Sequence, residues 1–344
     1  MADAPIVEVR GLKKTFMVSH AGGTSPLNAL DDVNFDVMPG ETLGLVGESG
    51  SGKSTAGRIL VGLIPATAGT VSLFGRRITG RDGAAALGAV RSRLQFVFQD
   101  PYAALNPRMR VGSSVAEPLE IAGKLSRRDR SDRVAELFEL VGLPRISTDR
   151  YPHEFSGGQR QRIVIARSLA LNPDFIVCDE PVSALDVSMQ AQIVNLLMDL
   201  QQRLGLTYLF IAHDLAVVRM ISTRVAVMYA GSIVETAPKK DIYAQPQHPY
   251  TKALLDAVPR PDPAFVRAPV ISGEVPSLLD PPMGCRFHPR CPLVMDRCRT
   301  EVPDLQRPEQ TVRSPAICLL KRTEAFYREG GCMPASWSLT KDTL

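Results

Sequence analysis

The sequence has no apolar run long enough to cross a membrane as a helix. A spanning helix needs about 20 consecutive apolar residues, whereas the best candidate, residues 204–212, is far shorter. The first residues (MADAPIVEVRG) also lack the basic flank and apolar segment of a signal peptide. We therefore expect the chain to stay in the cytoplasm and, if it works at a membrane, to dock onto other chains.

An excess of one charge is also missing. The 344 residues include 40 basic and 36 acidic side chains, so the net charge is only +4 and is spread along the chain. That charge is too small and too diffuse to indicate nucleic-acid binding, and we expect no nucleic-acid partner. The hydrophobic content of 44% is ordinary for a globular protein, and the length predicts one large domain with an appendage, or two domains.

Strand and helix patterns alternate through most of the chain. Residues 175–178 and 209–212 are continuous apolar runs of the kind found in buried parallel strands. Helical spacing of apolar residues begins at Lys53 and stops near Pro65, and a second amphipathic helix is predicted over residues 187–204. This alternation indicates an α/β domain with a mainly parallel sheet.

A phosphate-binding loop is predicted at residues 47–54, which read GESGSGKS and lie between a predicted strand and a predicted helix. Glycines allow backbone N–H groups to approach an anion, and the helix N-terminus adds a favourable dipole. In such a loop Lys53 reaches the β- and γ-phosphates of a nucleotide, and Ser54 offers its hydroxyl to Mg²⁺. A nucleotide site is strongly favoured over a plain glycine-rich turn.

Two acidic residues end the apolar run FIVCDE at residues 175–180. The strand delivers Asp179 to its tip, where the carboxylate can bind Mg²⁺, and Glu180 can polarise an attacking water. An acidic pair at a strand end is usually a solvated turn, but the phosphate loop upstream makes it the second half of a hydrolysis site. Cys178, on the same strand, is interpreted as inert core.

The segment FSGGQ at residues 155–159 places a hydroxyl and two glycines before another helical run. It is a second helix N-terminus that suits an anion. Because one nucleotide needs only one such cradle, the second suggests phosphates that another molecule presents.

Together these motifs resemble those of the ATP-binding subunit of an ABC transporter. GESGSGKS resembles the Walker A loop, FSGGQ the signature and FIVCDE the Walker B strand. Gln99 in FVFQDP, Asp186 in SALD and His213 in IAHDL match the Q-loop, the D-loop and the switch histidine. The resemblance covers residues 6–235 and implies a P-loop ATPase fold, a mixed sheet with a helical subdomain at about residues 100–170.

The resemblance also implies a role for each matched residue. It assigns hydrolysis of ATP to Glu180, His213, Gln99 and Lys53. It assigns Mg²⁺ to Ser54, Gln99 and Asp179. It assigns nucleotide contacts to Phe16, which would stack on adenine, and to Gly47, Ser49, Gly50, Gly52, Lys53, Ser54, Thr55, Ser156, Gly157, Gly158, Gln159 and Asp186.

The family mechanism gives the second cradle its purpose. Two such domains pair head to tail, so that the signature of one faces the phosphate loop of the other and two ATP molecules are sandwiched. This chain carries one copy of each motif and cannot complete either site alone. The implied partner is a second ATP-binding subunit, either a homologous chain or a second copy.

A narrower resemblance points to the peptide-importer subfamily. It rests on YAALNPRM after the Q-loop, GSIVE at residues 231–235, HPYT at residues 248–251 and a cysteine-bearing extension. It implies import of di- or oligopeptides, two integral membrane permease subunits and an extracytoplasmic substrate-binding protein. The chain would lie peripherally on the cytoplasmic face of the inner membrane.

Frequent prolines from about residue 259 interrupt any long helix and predict a loop-rich extension. We therefore divide the chain into an ABC nucleotide-binding domain over residues 1–258 and an extension over residues 259–344.

Four of the six cysteines lie in this extension between residues 285 and 318, with five, six and nineteen residues between them. In a cytosolic chain such clustering favours a metal or cluster site over disulfides. The spacings are too long for ordinary zinc knuckles. Four thiolates can hold a 4Fe-4S iron-sulfur cluster, and the resemblance supports one. The alternatives are Zn²⁺, with His288 as a substitute ligand, or reduced thiols in a loop. The predicted ligands are Cys285, Cys291, Cys298 and Cys318, and Cys332 is assigned to an unligated tail.

Two other functions compete with transport. A soluble ABC-type ATPase that acts as a clamp in DNA repair or translation would usually carry long coiled-coil insertions or two domains in one chain, and neither is present. A redox or iron sensor is disfavoured by the complete hydrolysis motifs.

Overall fold

Two β-sheets organise the part of the chain that the computed structural model describes, namely residues 4–20, 23–257, 273–274 and 276–303. The strands are β1 (Val7–His20), β2 (Gly23–Val37), β3 (Thr42–Val46), β4 (Ala68–Leu73), β5 (Arg76–Arg77), β6 (Leu94–Val97), β7 (Phe175–Asp179), β8 (Thr207–Ala212), β9 (Arg224–Tyr229) and β10 (Ser232–Pro238). One sheet is antiparallel, in the order β2-β1-β4-β5. The other, in the order β10-β9-β3-β8-β7-β6, is parallel apart from β10.

Helices connect the strands and cover the larger sheet. They are α1 (Lys53–Leu60), α2 (Gly83–Val90), α3 (Pro101–Ala104), α4 (Val111–Ala122), α5 (Arg127–Leu140), α6 (Gly157–Ser168), α7 (Val187–Leu204), α8 (Leu215–Ile221), α9 (Lys239–Ala244), α10 (Pro249–Asp256) and α11 (Arg297–Thr300). Helices α3 to α6 lie consecutively between β6 and β7 and form the helical region. The fold class predicted from the sequence, an α/β mixed sheet with a helical subdomain, is confirmed.

The larger sheet sets the position of the functional residues. Every residue of β3, β7 and β8 is buried, as the apolar runs of these strands predict. Because β3, β6, β7 and β8 are parallel, the residues that follow their carboxyl ends meet at one edge of the sheet. The motifs at residues 47–54, 99, 179–180 and 213 all follow these strand ends.

The helical region has its own apolar face. Val134, Leu137, Phe138 and Val141 are each at most 5% exposed and belong to the core, as their helical spacing predicts. The charged start of α5, residues 127–130, faces solvent or is only partly buried, as expected of a solvated face.

Two boundaries differ from the sequence prediction. Helix α1 ends at Leu60 rather than near Pro65, because Gly62 takes a left-handed φ of 72° and turns the chain. Strands β1 and β2 are longer than the short runs predicted, since they pair as an antiparallel hairpin through polar residues such as Thr15 and Asn28.

The described part of the extension contains little regular structure. Apart from α11 it has one short 3-10 turn, His288–Arg290. Its order comes from packing, because Phe287 is buried in the core that the larger sheet shares with the helical region, and Cys298 is buried as well.

Candidate functional site

The loop between β3 and α1 has a backbone shape that glycine permits. Gly52, at the start of α1, has a φ of 103°, and a side chain there would meet the carbonyl of Ala29 at 2.5 Å. A Cβ on Gly47, whose φ is 152°, would lie 2.1 Å from the carbonyl oxygen of Met228. Both glycines therefore pack where no side chain fits, and a glycine loop at a helix N-terminus lets backbone N–H groups approach an anion.

The side chain of Lys53 folds back onto the carbonyl groups of its own loop. Its Nζ donates to the carbonyl oxygens of Gly47 and Glu48, each at 2.8 Å, and the residue is 5% exposed. Burial lowers the pKa of the Lys53 ammonium, whereas the carboxylates of Glu180, Asp179 and Glu48 act to raise it. A positive charge thus lies within the loop where a phosphate would sit.

Two oxygen ligands lie together at the end of β7. The Ser54 hydroxyl donates to Oδ1 of Asp179 at 2.7 Å, and Asp179 is 2% exposed. Burial raises the pKa of Asp179, while the hydrogen bond from Ser54 works in the opposite direction. A hydroxyl and a carboxylate at this distance are the hard oxygen donors that Mg²⁺ prefers, and a nucleotide-bound Mg²⁺ usually takes one or two carboxylates besides phosphate and water oxygens. The residues present therefore fit that ion.

Residues that follow three neighbouring strands, β6, β7 and β8, meet at the side chain of Glu180. Gln99 Nε2 donates to Oε2 of Glu180 at 3.0 Å, and Nδ1 of His213 lies 3.4 Å from the same oxygen. Glu180 has a φ of 48°, an unusual value for a residue with a side chain. The Ser183 hydroxyl donates to the Glu180 carbonyl at 3.1 Å and helps to hold this backbone.

These residues surround one cavity of about 670 Å³. Such a volume lies within the range of small-molecule sites. The sequence-predicted residues on its wall are Phe16, Ser49, Gly50, Gly52, Lys53, Ser54, Thr55, Gln99, Glu180 and His213. Leu27, Ala29 and Leu278 complete the wall and were not predicted.

Phe16 stands at the apolar end of this cavity, on the β1–β2 hairpin. Lys14 Nζ lies 4.7 Å from the centroid of its ring. Leu278 comes from the extension, and its carbonyl accepts a hydrogen bond from the N–H of Asn28 at 3.1 Å. No local pattern in the sequence marks Leu278, because only the tertiary structure brings it to the hairpin.

The signature residues lie outside this cavity. Ser156 is the N-cap of α6, and Gln159 N–H donates to its hydroxyl at 3.3 Å. In return, Oε1 of Gln159 accepts from the Ser156 N–H at 3.0 Å, which completes a capping box. Gly158 packs so tightly against Met189 of α7 that an added Cβ would meet its Cε at 1.8 Å. Ser156 and Gln159 are exposed, Gly157 is half-buried, and Gly158 is buried.

Asp186 also lies away from the cavity. It is the N-cap of α7, where Oδ1 accepts from the Met189 N–H at 2.9 Å. That hydrogen bond, with those of Ser188, lowers the pKa of the carboxyl. The structure thus brings the loop, Walker B, Q-loop and switch residues together, and it leaves the signature residues and Asp186 outside the cavity.

The cysteines of the extension do not form the predicted metal site within the described residues. Cys285 N–H donates to the carbonyl of Cys298 at 2.9 Å, so these two residues are close, and Cys298 is only 5% exposed. Yet across the described part of the chain no three His, Cys, Asp or Glu side chains are grouped so as to hold a metal ion. Burial raises the pKa of the Cys285 thiol, which disfavours the thiolate that a metal requires.

The same finding applies to zinc with His288, whose Nδ1 lies 3.0 Å from the Cys285 carbonyl. The physical reason is the direction of packing, because Cys285 and Cys291 pack against the hydrophobic core and Cys298 is buried. Cys318 and Cys332 lie outside the described residues.

Comparison with protein families gives two adjacent matches. The family described as "ABC transporter" matches residues 30–183. The family described as "Oligopeptide/dipeptide transporter, C-terminal region" matches residues 234–298. The second match begins upstream of residue 259, within the segment that we assigned to the nucleotide-binding domain.

Curated relatives match nearly the whole chain. A putative peptide import ATP-binding protein of Brucella abortus (strain 2308) is 62% identical over 303 residues, which is 88% of this chain and 90% of the relative. A putative peptide import ATP-binding protein of Brucella ovis is 52% identical over 307 residues, covering 89% and 95%.

Solved structures match the nucleotide-binding part. A dimeric ATP-binding cassette in a post-hydrolysis state, bound to ADP and Pi, has a TM-score of 0.61 and 31% identity, covering 68% of this chain and 98% of that one. The cbiO1 protein of Clostridium perfringens, part of the ABC transporter complex cbiONQ, has a TM-score of 0.61 and 27% identity, covering 71% and 92%.

Proposed function

This chain belongs to the ABC transporter family and is an ATP-hydrolysing subunit of that family, and from this premise we propose that it drives the import of di- or oligopeptides across a membrane. The peptide assignment is supported by the match to the C-terminal region of oligopeptide/dipeptide transporters and by the names of the relatives. We propose that the cargo never contacts this subunit, which supplies only energy.

One observation carries the proposal: residues from four parallel strand ends converge on a single cavity that can hold a nucleotide. The phosphate loop follows β3, Gln99 follows β6, Glu180 follows β7 and His213 follows β8. The cation of Lys53, the oxygen donors of Ser54 and Gln99 and the carboxylate of Glu180 thus line the same volume, as phosphoryl transfer to water requires.

We assign the chemistry to these residues as follows. Lys53 leaves the carbonyls of its own loop and binds the β- and γ-phosphates. Ser54 and Asp179, with Gln99, would hold Mg²⁺, which would neutralise charge on the phosphate oxygens. Glu180 orients the attacking water and takes its proton, since its carboxylate lies at the cavity wall.

The remaining contacts position the nucleotide. His213 donates to the γ-phosphate, and its 3.4 Å separation from Glu180 keeps it beside the attacking water. Phe16 stacks on the adenine at the apolar end of the cavity. The phosphates are held by backbone N–H groups and side chains of the loop. The residues that contribute them are Gly47, Ser49, Gly50, Gly52, Lys53, Ser54 and Thr55.

The signature residues act on the nucleotide of a second subunit. Ser156 and Gln159 are exposed at a helix N-terminus, away from this chain's own cavity. In a head-to-tail dimer, with a homologous chain or a second copy, Ser156, Gly157, Gly158 and Gln159 bind the partner's γ-phosphate. Asp186, which is exposed, is proposed to contact the same nucleotide.

The other partners are two integral membrane permease subunits and an extracytoplasmic substrate-binding protein, with no nucleic acid. No helix in the described ranges has the length and hydropathy to cross a membrane. Phe98 and Tyr102, which are 42% and 65% exposed, flank Gln99 and offer an apolar surface for a permease. We place the chain peripherally on the cytoplasmic face of the inner membrane.

The domain organisation predicted from the sequence is retained as part of the proposal. Residues 1–258 form the nucleotide-binding domain, with the helical subdomain at about 100–170, and residues 259–344 form the extension. The proline-rich start of the extension lies outside the described residues.

The cysteine ligand set also stays a prediction, because Cys318 lies outside the described residues. Its one structural support is the proximity of Cys285 and Cys298. Anaerobically purified protein that contains about one 4Fe-4S cluster per chain would support the set, and Cys291→Ser should then lose the iron and sulfide. Stoichiometric zinc in place of iron would identify a zinc site instead of the cluster. The absence of both metals would show that there is no metal site.

The decisive experiment is reconstitution in vesicles with the permease subunits and the binding protein. We expect uptake of labelled di- or oligopeptides that needs ATP and is lost in Glu180→Gln. A chain that hydrolyses ATP but never co-purifies with membrane subunits would instead identify the clamp function.

A further inference from the structure

We propose that two distant residues position the phosphate loop by holding Glu48: Arg290 of the C-terminal extension and Tyr250 of helix α10. The inference rests on the nucleotide site proposed above and adds two positioning residues to it. Glu48 is the second residue of GESGSGKS, and Arg290 lies 242 residues further along the chain.

The peptide backbone of Glu48 is held from both sides. Its N–H donates to the hydroxyl of Tyr250 at 2.9 Å. Its carbonyl accepts from Lys53 Nζ at 2.8 Å. The hydrogen bond from Lys53 will be lost when Lys53 turns to a phosphate. The hydrogen bond to Tyr250 then remains to hold the backbone of Glu48.

The side chain of Glu48 is held by the extension. Arg290 Nη1 donates to Oε2 at 2.9 Å, and Nη2 donates to Oε1 at 3.2 Å. The Arg290 side chain is 6% exposed and that of Glu48 is 26% exposed. A two-pronged, charge-assisted pair shielded from water is stronger and more directional than an exposed ion pair.

The segment that carries Arg290 is itself fixed. Phe287, at 1% exposure, packs against the rings of Tyr229, Tyr250 and His248, with centroid distances of 5.2, 5.5 and 5.7 Å. The neighbouring Arg286 bonds to the carbonyl of Ala230 and to Asp31. Arg290 is therefore presented from a rigid base rather than from a loose loop.

The charge of Glu48 explains why such a contact matters to binding. A carboxylate at the edge of a phosphate site repels the anionic nucleotide, and pairing with Arg290 cancels that charge. Loss of Arg290 would both release the loop and expose the repulsion. The effect falls on nucleotide affinity, because neither residue lies on the cavity wall where the water attacks.

The test compares full-length variants by titration with a fluorescent ATP analogue and by steady-state hydrolysis. We expect Arg290→Gln to raise Kd and KM about tenfold, as loss of a buried charge-assisted pair implies, with kcat at saturating ATP within about twofold. Glu48→Gln added to Arg290→Gln should recover most of the affinity, because it removes the repelling charge. Arg297→Gln, which breaks the exposed pair with Glu301 in the same extension, is the matched control and should bind like the wild type.

Two results would overturn the inference: Arg290→Gln that binds ATP as well as Arg297→Gln, or a double variant with no recovery. If Arg290→Gln yields little folded protein, Arg290→Lys replaces it, with Kd expected to rise about threefold because the charge stays and the two-pronged geometry goes. Equal affinities of Arg290→Lys and Arg297→Gln would equally refute it. A wild-type chain that fails to bind ATP would refute the nucleotide site itself and not the contact.

Discussion

The helices that follow the phosphate loop and the signature begin in different ways. Helix α1 starts at Gly52, which is left-handed and supplies no side-chain cap, and Lys53 lies across the loop. Helix α6 starts at Ser156, whose hydroxyl and the side chain of Gln159 satisfy each other's backbone N–H groups. Two sequence motifs with similar chemistry thus give one N-terminus that is accessible to an anion and one that is internally capped.

The difference implies an order of events. The phosphate loop can accept a nucleotide by moving one lysine, whereas the signature must exchange an internal hydrogen bond for a phosphate. A cap of this kind is worth about 1 kcal/mol, so the second cradle needs the additional contacts of a closed dimer. The comparison supports the proposal that one chain binds ATP alone and needs a partner to hydrolyse it.

The largest effect is expected at the phosphate loop, the accessible cradle of the comparison, where one substitution distinguishes ATP binding from ATP hydrolysis. Glu180→Gln keeps the size and the hydrogen bond from Gln99 but removes the base, so hydrolysis should fall by about 10²–10⁴. ATP binding should stay, and the protein should accumulate as an ATP-bound dimer. Phosphate release and size-exclusion chromatography measure both. Turnover near the wild-type rate would show that Glu180 is not the base.

A second substitution tests the capped cradle. Ser156→Arg replaces the hydroxyl with bulk and charge at the dimer face, and we expect hydrolysis to fall about 100-fold, as for loss of a donor to a developing charge. Binding to the isolated chain should change less than about twofold, because Ser156 lies outside its cavity. Loss of binding by the isolated variant would argue against a site shared between chains.

The sequence predicts the accessible cradle well because its determinants are local. Gly47 to Ser54 lie within eight residues, and the acidic pair Asp179 and Glu180 directly follows a buried strand. The resemblance adds Gln99 and His213, which the parallel sheet then brings to the same edge.

The contribution of the extension could not be predicted in the same way. Leu278 reaches the cavity, and Arg290 reaches Glu48, only through tertiary packing across more than half of the chain. The cysteine spacing suggested a metal, whereas in the described part of the extension Cys285 and Cys291 pack against the apolar core and Cys298 is buried. The number and spacing of the cysteines do not show whether their side chains face one another or the core.

A third helix start sharpens the comparison through pH. His248 caps α10, since its Nδ1 accepts from the Tyr250 N–H at 3.1 Å, and burial lowers its pKa to about 3. Below the ordinary pKa of about 6.5, the unfolded chain binds a proton that the folded chain does not, so stability falls with falling pH. Between pH 6.5 and 5.5 this histidine should cost about 1 kcal/mol.

The matched variant is His248→Asn, which keeps a capping side chain without a titrating ring. Urea unfolding at both pH values should show that its stability falls by about 1 kcal/mol less than that of the wild type. Glu235, whose pKa burial raises, accepts from the His248 N–H and works in the opposite sense in both proteins, so the difference between them isolates the histidine. Equal pH dependence of the two proteins would mean that His248 is not held neutral.

The smallest expected effect concerns the apolar end of the accessible cradle. Leu278 belongs to the extension yet lines the nucleotide cavity beside Phe16, so Leu278→Ala removes apolar contact area from the base-binding end. The side chain is only half-buried, and we expect the Kd for ATP to rise about threefold, in line with the loss of a few buried methyl groups. Leu279→Ala is the control, because Leu279 is adjacent to Leu278 but is 42% exposed and does not line the cavity. The same titration measures the ATP affinities of the two variants. If Leu278→Ala binds ATP as tightly as Leu279→Ala, the extension makes no direct contact with the nucleotide, and the site is confined to the nucleotide-binding domain.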